Sequence, residues 1–333
     1  MPDGVLVGSI DYLENFFFLS VIGTEAERGR FYWISPGNTD PDPLDFATAE
    51  REPDDIVALS VLGDELWMLG SQSGEVWIAS GNSDSPFQPV QARAYNYGCI
   101  VRETASISTL GGSPCLIWVT DSHTVAMAQA NNAPQKISNE SVDEVLRSAT
   151  NLRAWSFRYN RHSFYILTCD QATFVYDLTK QNWARWSSFQ QDYFRGHLGF
   201  QQGPDVYAGD YLSGKIYKFD EGTDDDGDAV TRTASGLAIF QGNFQPCTRV
   251  NVIMNSGWTQ SYGPTAFLEL RWSDDLGFTW GPWTQLPIGE TGQYKTDVTF
   301  SSLGMMRRPG RLFQFRFSDK SRFRLDYATM NEM

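Results

Sequence analysis

Short stretches of alternating apolar and polar residues, separated by turns rich in glycine and aspartate, run along most of the chain. They recur as a unit: an aromatic-rich stretch, a short polar turn and a second alternating stretch. Alternation with a period of two is typical of half-buried β-strands, and a short polar turn between two such strands is typical of a hairpin. Four units are clear, with paired strands at 66–69 and 75–78, 116–119 and 124–127, 164–167 and 173–176, and 205–208 and 215–218.

A fifth unit with a longer turn joins 16–19 to 30–33. Corresponding aromatic residues of the five units are 50, 51, 47 and 42 residues apart, at Phe17, Trp67, Trp118, Tyr165 and Tyr207. A repeat of roughly 40 to 50 residues is the length of one propeller blade. Radial stacking of four-stranded blades buries their faces and protects their edges. The pattern therefore predicts a β-propeller, with an irregular β-sandwich as the alternative.

The spacing of the strands changes after the acidic segment 220–228, which predicts a solvated loop because it combines carboxylates with glycine. Further strands are predicted near 249–255, 266–272, 295–300, 312–317 and 322–327, without the blade spacing. We therefore predict an all-β chain with two domains. A β-propeller of four-stranded blades, with at least five hairpin repeats, is expected over 1–240, and a smaller C-terminal β-sandwich-like domain over 241–333.

One helix is predicted among the strands. Ser141 and Glu144 have the spacing of a capping box, and Val142, Val145 and Leu146 follow at helical spacing. We expect this helix to pack between blades.

Composition narrows the range of functions. The chain has 26 basic and 40 acidic residues, a formal net charge of -14, and an aromatic share of 14%, which favours strands. A field of this sign repels phosphate, so direct gripping of nucleic acid is not expected. An acidic surface suits a passage through which DNA slides without sticking.

The four cysteines, Cys99, Cys115, Cys169 and Cys247, lie far apart and form no C-x-x-C pair, which predicts buried free thiols. The N-terminus lacks the basic start and long apolar run of a signal peptide. The apolar stretch 16–19 is too short to cross a bilayer. We therefore expect no membrane anchor, and synthesis and folding in a cytoplasm.

One motif in the C-terminal domain has a known turn geometry. The pattern S-x-D-x-G-x-T-W is the Asp-box of sialidases and several other β-propeller proteins, and here it comprises Ser273, Asp275, Gly277, Thr279 and Trp280. The aspartate is expected to accept backbone N–H groups, the glycine to supply an unusual dihedral angle, and the tryptophan to pack beneath. Sialidase chemistry needs a tyrosine nucleophile, an acid and clustered arginines, usually with several boxes, and this chain has one. A carbohydrate-binding or sialidase-like propeller stays as an alternative, and no catalytic residue is assigned.

Two charged groups are candidate contact sites. If Gly227 of the acidic loop is placed at the sixth position of an EF-hand calcium loop, Gly222 falls at the first position and Thr233 at the twelfth, where the motif requires ligating acids. No metal or cofactor is therefore predicted. We expect this loop to face a channel, through Asp224, Asp225, Asp226 and Asp228. We expect a basic group near the C-terminus to lie at a contact between subunits, through Arg307, Arg308 and Arg311.

Several stretches, in order, resemble the tail hub proteins of short-tailed bacteriophages, a family also called packaged-DNA stabilisation proteins. The similarity runs from about residue 40 to residue 327. It is carried by LDFATAE at 44–50, PDDIV at 53–57, ELW at 65–67, EVW at 75–77, KIS at 136–138, TFVYD at 173–177, RWSDD at 271–275 and FQFRFSD at 313–319.

The resemblance implies a non-enzymatic virion protein that forms a ring, usually of six copies, below the portal and its adaptor protein. Such a ring closes the DNA channel and carries a distal needle, nozzle or fibre protein. Six copies at -14 each give a formal charge of -84, so passing DNA meets like charge. Apolar blade edges, and arginines meeting acidic loops, are expected to hold the subunits together. Hub proteins have a longer region ahead of the LDFA segment than the forty or so residues here, which leaves a related tail nozzle protein as an alternative.

Overall fold

The computed structural model of the chain is almost entirely β-structure and divides into two compact units, Met1–Asp220 and Glu221–Met333. It describes residues 6–22, 29–49, 54–82, 85–220, 224–240, 242–255, 266–290, 292–293, 296–320 and 324–331. The division falls twenty residues before the predicted boundary at 240/241. The reason is that the strand Arg232–Ala238 pairs with the distant strand Arg311–Phe317, which places it in the second unit.

The described residues of the first unit form five antiparallel sheets, each with its strands hydrogen-bonded in chain order. The first sheet comprises Leu6–Leu13 (β1), Phe16–Ile22 (β2), Arg30–Ile34 (β3) and Phe46–Thr48 (β4), and the second Ile56–Leu62 (β5), Glu65–Gly70 (β6), Gly74–Ala79 (β7) and Phe87–Tyr95 (β8). The third comprises Ser106–Leu110 (β9), Ser113–Val119 (β10), Val125–Gln129 (β11) and Gln135–Lys136 (β12). The fourth comprises Arg153–Tyr159 (β13), His162–Thr168 (β14), Thr173–Asp177 (β15) and Asn182–Trp186 (β16), and the fifth Gly196–Gln202 (β17), Asp205–Asp210 (β18) and Ile216–Phe219 (β19).

All five predicted hairpins are confirmed as the second and third strands of their sheets. The aromatic residues that mark the repeat all lie on second strands, but they do not share one face. Trp67 and Trp118 meet across a single interface, with ring centroids 6.3 Å apart, whereas Phe17 is exposed. The order of the strands therefore repeats, whereas the face that carries the aromatic residue differs between blades.

Apolar clusters join each sheet to the next, in chain order. The cluster around Phe18 and Trp77 lies between the first two sheets, that around Trp67 and Trp118 between the second and third, and that around Tyr165 between the third and fourth. The cluster around Trp155 joins the fourth sheet to the fifth. Successive sheets that pack face to face in this way are the blades of a β-propeller, so this part of the prediction is confirmed.

In the part of the chain that the structure describes, two short helices accompany the blades, a 3₁₀ turn at Arg102–Thr104 and an α-helix at Glu140–Leu146 (α1). The α-helix packs Val142 and Leu146 between the third and fourth blades, as expected. The predicted cap is wrong, because the N-cap is Asn139, whose side chain accepts a hydrogen bond from the Val142 N–H at 3.1 Å.

The second unit is a β-sandwich. One sheet, in spatial order, comprises Arg232–Ala238 (β22), Arg311–Phe317 (β29), Phe267–Ser273 (β25) and Thr284–Pro287 (β26), and the other Thr296–Ser301 (β27), Arg249–Asn255 (β24) and Arg324–Met330 (β30). Two small ladders complete it, Asp224–Asp225 (β20) with Asp228–Ala229 (β21), and Phe244–Pro246 (β23) with Met305–Arg307 (β28). Apolar residues on alternate positions of both sheets form one core, which includes Val252, Leu270, Phe300, Phe313 and Phe315.

The four cysteines are free and buried, as predicted. Burial raises the pKa of the Cys99 and Cys115 thiols to about 12, so both side chains are inert packing groups at neutral pH. No helix among the described residues is long and apolar enough to cross a membrane.

Candidate interaction surfaces

The Asp-box forms a closed turn after β25. The Asp275 carboxylate accepts hydrogen bonds from the Ser273 hydroxyl at 2.6 Å, the Thr279 N–H at 2.8 Å and the Thr279 hydroxyl at 2.5 Å. The Ser273 hydroxyl oxygen in turn accepts from the Gly277 N–H at 2.8 Å. Leu276 and Gly277 have φ angles of 60° and 103°, which is the left-handed region where glycine is favoured. The polar residues of the motif thus satisfy one another within the turn.

The hydrogen bonds from Ser273 and Thr279 lower the pKa of Asp275 from 3.8 to about 2. An Asp whose folded-state pKa is lowered stabilises the fold above its unfolded-state pKa, and this stabilisation is lost as the pH falls through the folded-state pKa. We expect Asp275→Asn to lower the melting temperature at pH 7, and the difference from wild type to shrink between pH 4 and pH 2. Thermal melts of both proteins across this range would measure it, and a constant difference would contradict the assignment.

The tryptophan of the motif packs against the turn, because its ring would lie 3.7 Å from a Cβ placed on Gly277. Its ring contacts the Arg271 guanidinium at 4.5 Å, and the same guanidinium lies 4.4 Å from the ring of Trp283. Arg316 lies 4.1 Å from Trp283 and pairs with Glu269. These five side chains form a ladder of stacked charges and rings on the outer face of the sandwich sheet. Charged residues at alternate positions of β25, Glu269 and Arg271, followed by W-x-x-W at 280–283, are the sequence signal that would have indicated it.

The three arginines of the predicted basic group do not share one environment: Arg311 is buried, whereas Arg307 and Arg308 are exposed. Arg311 is only 2% exposed and forms a bidentate pair with Asp274, at 2.6 and 2.9 Å. Its guanidinium also donates to the carbonyls of Leu303 and Met305. Arg311 therefore holds the sandwich together and is not available to another subunit. The sequence did not reveal this, because the partner loop lies 37 residues away along the chain.

We expect Asp274→Ala to destabilise the protein by about 3 kcal/mol, the lower end of the range for a broken buried pair, because Asp274 itself is exposed. The buried guanidinium would keep its carbonyl partners and lose its counter-charge. Urea denaturation followed by circular dichroism measures this change. Arg324→Ala, which removes an exposed pair with Asp326, is the matched control, and it should cost no more than about 1 kcal/mol.

Arg307 and Arg308 remain exposed on the sandwich. Arg307 lies 5.9 Å from the ring of Phe244, and Arg308 donates to the carbonyl of Gly242 at 3.1 Å. Phe244 is itself exposed, so this corner presents an apolar ring beside two positive charges. Its role as a contact between subunits stays a prediction.

The predicted acidic loop is a small hairpin formed by β20 and β21. Its turn has Asp226 at φ 54° and Gly227 at φ 90°, and the Gly227 N–H donates to the Asp224 carboxylate at 2.9 Å. The Lys320 ammonium donates to the Gly227 carbonyl. Among the described residues no group of three or more His, Cys, Asp or Glu is placed to hold a metal ion. The hairpin therefore presents Asp224, Asp225, Asp226 and Asp228 as a local acidic surface, and its position in a channel stays a prediction.

A cavity with a volume of about 730 Å³ lies beside the first two blades. Phe46, Trp77 and Pro89 contribute to its walls, together with the charged residues Glu75 and Arg93. No tyrosine is among the described residues that line it. The arrangement that sialidase chemistry requires, a tyrosine and an acid beside several arginines, is not formed there.

The chain is a propeller followed by a sandwich, and many of its charged side chains lie in turns, ladders and buried pairs. Two family models match the chain in the same order as its two units. Residues 28–224 match the model described as "Bacteriophage P22 Gp10, beta-propeller", and residues 233–331 match "Bacteriophage P22 Gp10, beta-sandwich". The chain belongs to the P22 Gp10 family, the tail hub and packaged-DNA stabilisation proteins of short-tailed phages, and is a structural protein of the phage tail.

No curated protein matches the chain. Among solved structures, the Dos1 propeller is similar with a TM-score of 0.41 and 10% identity, over 66% of this chain and 59% of that chain. The chain thus spans less than two thirds of the length of that protein. The Bombyx mori β-fructofuranosidase BmSUC1 is similar with a TM-score of 0.35 and 13% identity, over 97% of this chain and 91% of that one.

Proposed function

We propose that this protein is the hub of a short phage tail, a ring that lies below the portal and its adaptor, closes the channel over packaged DNA and carries the distal tail. The observation that carries the proposal is the ordered match of both domains to one tail-protein family. We further propose that the chain is made in the cytoplasm of the host before it joins the virion. A ring of six copies is the assembly that the family resemblance implies.

The charge of the chain supports this role. At a formal charge of -14 per copy, the surface repels the DNA backbone and offers no general phosphate clamp. DNA can then pass the ring without being held by it. The clustered carboxylates at 224–226 and 228 are our candidates for the channel wall.

Cosedimentation with purified adaptor rings, followed by electron microscopy, tests the proposal. We expect the chain to bind the adaptor end and to form a ring of subunits coaxial with it. A chain that remains monomeric beside adaptor rings and does not cosediment would refute the hub assignment. If the protein binds only to the distal end of a complete tail, it is a tail nozzle protein and not the hub.

A further inference from the structure

The sandwich leaves the edge of one strand open. β22 lies at the end of its sheet and pairs with β29 through seven consecutive residue pairs, from Arg232 with Phe317 to Ala238 with Arg311. Among the described residues no strand pairs with its other edge, and residues 233–237 are exposed. A strand with a single neighbour directs a row of backbone N–H and C=O groups at solvent, where they can pair with a strand of another chain. β22 therefore offers an unoccupied ladder.

β22 has none of the features that protect edge strands. Such strands are commonly short, or they carry a charge, a proline or a bulge. β22 has seven residues in continuous register, and its one charged residue is Arg232 at the start. The other described edges of the sandwich are protected: β26 has four residues and ends at Pro287, β27 carries Asp297, and β30 carries Arg324 and Asp326 beside a register shift. β22 is thus the edge of this sandwich at which a strand can be added.

The core side of β22 has room for large side chains. Residues that pair across a ladder lie on the same face, so Ala234 and Gly236 share the face of Phe315 and Phe313, which belong to the core. Ala234 and Gly236 are nevertheless exposed, and a Cβ placed on Gly236 would meet no atom within 4 Å. Small residues at this edge thus leave the core side open to side chains of an added strand.

We propose that the open edge of β22 binds an extended segment of another protein. The segment adds to the sheet as a fifth strand, with large apolar side chains at alternate positions beside Ala234 and Gly236. Main-chain hydrogen bonds provide the affinity in this mode of binding, and the space beside the small residues selects the side chains. The inference goes beyond the proposed function and does not depend on it, because it rests on this sheet alone.

Charge and shape favour a different protein over a second copy. Two copies at -14 each repel one another, whereas a neutral or basic segment is not repelled. Pairing of β22 with β22 of another copy would place small residues beside small residues and leave the space unfilled. The described outer strands of the blades are poor donors as well, since β4 and β12 have three and two residues and the others carry Pro89 in β8, Arg185 in β16 and Lys218 in β19.

The strand β29 provides a direct probe, because it already pairs with β22 on one edge and carries large apolar side chains at alternate positions. A synthetic peptide of residues 311–317, blocked at both ends and labelled with a fluorophore, should bind the full-length chain saturably in fluorescence anisotropy. High ionic strength screens its two arginines from the acidic protein. A peptide of the same composition with its apolar residues consecutive should bind at least tenfold more weakly. Absence of saturable binding by the alternating peptide would overturn the proposal.

Two lysine variants test the position of the peptide. Gly236→Lys places a charge in the open space beside the added strand and should weaken binding at least tenfold, and its own chain has room for the new side chain. Ser235→Lys is the matched control, since it places the same charge on the opposite face of the same strand, and it should change binding less than twofold. Wild-type affinity in Gly236→Lys, or equal weakening in both variants, would overturn the proposal.

Hydrogen exchange of the wild-type chain locates the peptide without any variant. Bound peptide should slow the exchange of the backbone amides of 232–238 and leave those of 311–317 unchanged. Faster exchange at 311–317 would show that the peptide replaces β29, which overturns the proposal. Sedimentation velocity of the chain alone completes the test, because a dimer that Gly236→Lys abolishes would show that a second copy occupies the edge and would also overturn it. Failure to bind adaptor rings refutes only the hub function and leaves this inference standing.

Discussion

Trp118→Ala is expected to lower the free energy of unfolding by about 3–5 kcal/mol, the cost of removing a large buried side chain and leaving a cavity. Trp118 is fully buried between the second and third blades. Its indole N–H donates to the Gly98 carbonyl at 3.0 Å, so the substitution also leaves a buried acceptor without its partner. Neighbouring β-strands are held by their ladders and cannot collapse into the space. Guanidinium denaturation followed by far-ultraviolet circular dichroism measures the loss.

The control for this experiment is Phe189→Ala, which removes an aromatic side chain of similar size that is 51% exposed in the same unit. It should change the free energy of unfolding by less than about 1 kcal/mol. Equal effects at the two positions would show that Trp118 is not packed between blades.

Glu65→Ala is expected to cost about 3–5 kcal/mol, because it leaves the charge of Arg93 inside the protein without a partner. Glu65 is 2% exposed and pairs with Arg93 through both carboxylate oxygens. The same carboxylate accepts from the Trp67 indole N–H at 2.9 Å and from the Asn131 N–H at 3.0 Å. One substitution therefore removes the common acceptor of three groups that come from three different strands or turns.

Two further variants separate the lost pair from general damage. Glu140→Ala removes an exposed partner of Arg147 and should cost less than about 1 kcal/mol. The double variant Glu65→Gln/Arg93→Met removes both charges while it keeps most of the volume, and it should be more stable than Glu65→Ala. A double variant that is less stable than Glu65→Ala would mean that packing, and not the unpaired charge, is responsible.

Under the proposed hub function, DNA has to pass the protein without being held by it. The β20–β21 hairpin presents a local acidic surface, and like charge disfavours binding of the DNA backbone.

Local features were predicted well from the sequence. Each hairpin depends on a few consecutive residues, such as the alternation of Phe164 to Leu167 and the turn that follows it, and all five were found where expected. The helix was predicted in the right place, but its cap was assigned to Ser141, while the N-cap is Asn139. Both Asn and Ser cap helices well, so local chemistry alone does not choose between them.

The sequence by itself determined the repeat of hairpins, the all-β class, the buried thiols and the acidic character of the chain, because each of these depends on neighbouring residues or on composition. Only the tertiary structure decided which face of each strand is buried and which distant residues pair with one another. β22 joins the sandwich through pairs such as Arg232 with Phe317, Arg311 is buried by a loop 37 residues away, and Trp67 faces Trp118 from another blade. Pairings between distant segments set these outcomes, since a shift of one residue in register turns every side chain of a strand to the opposite face.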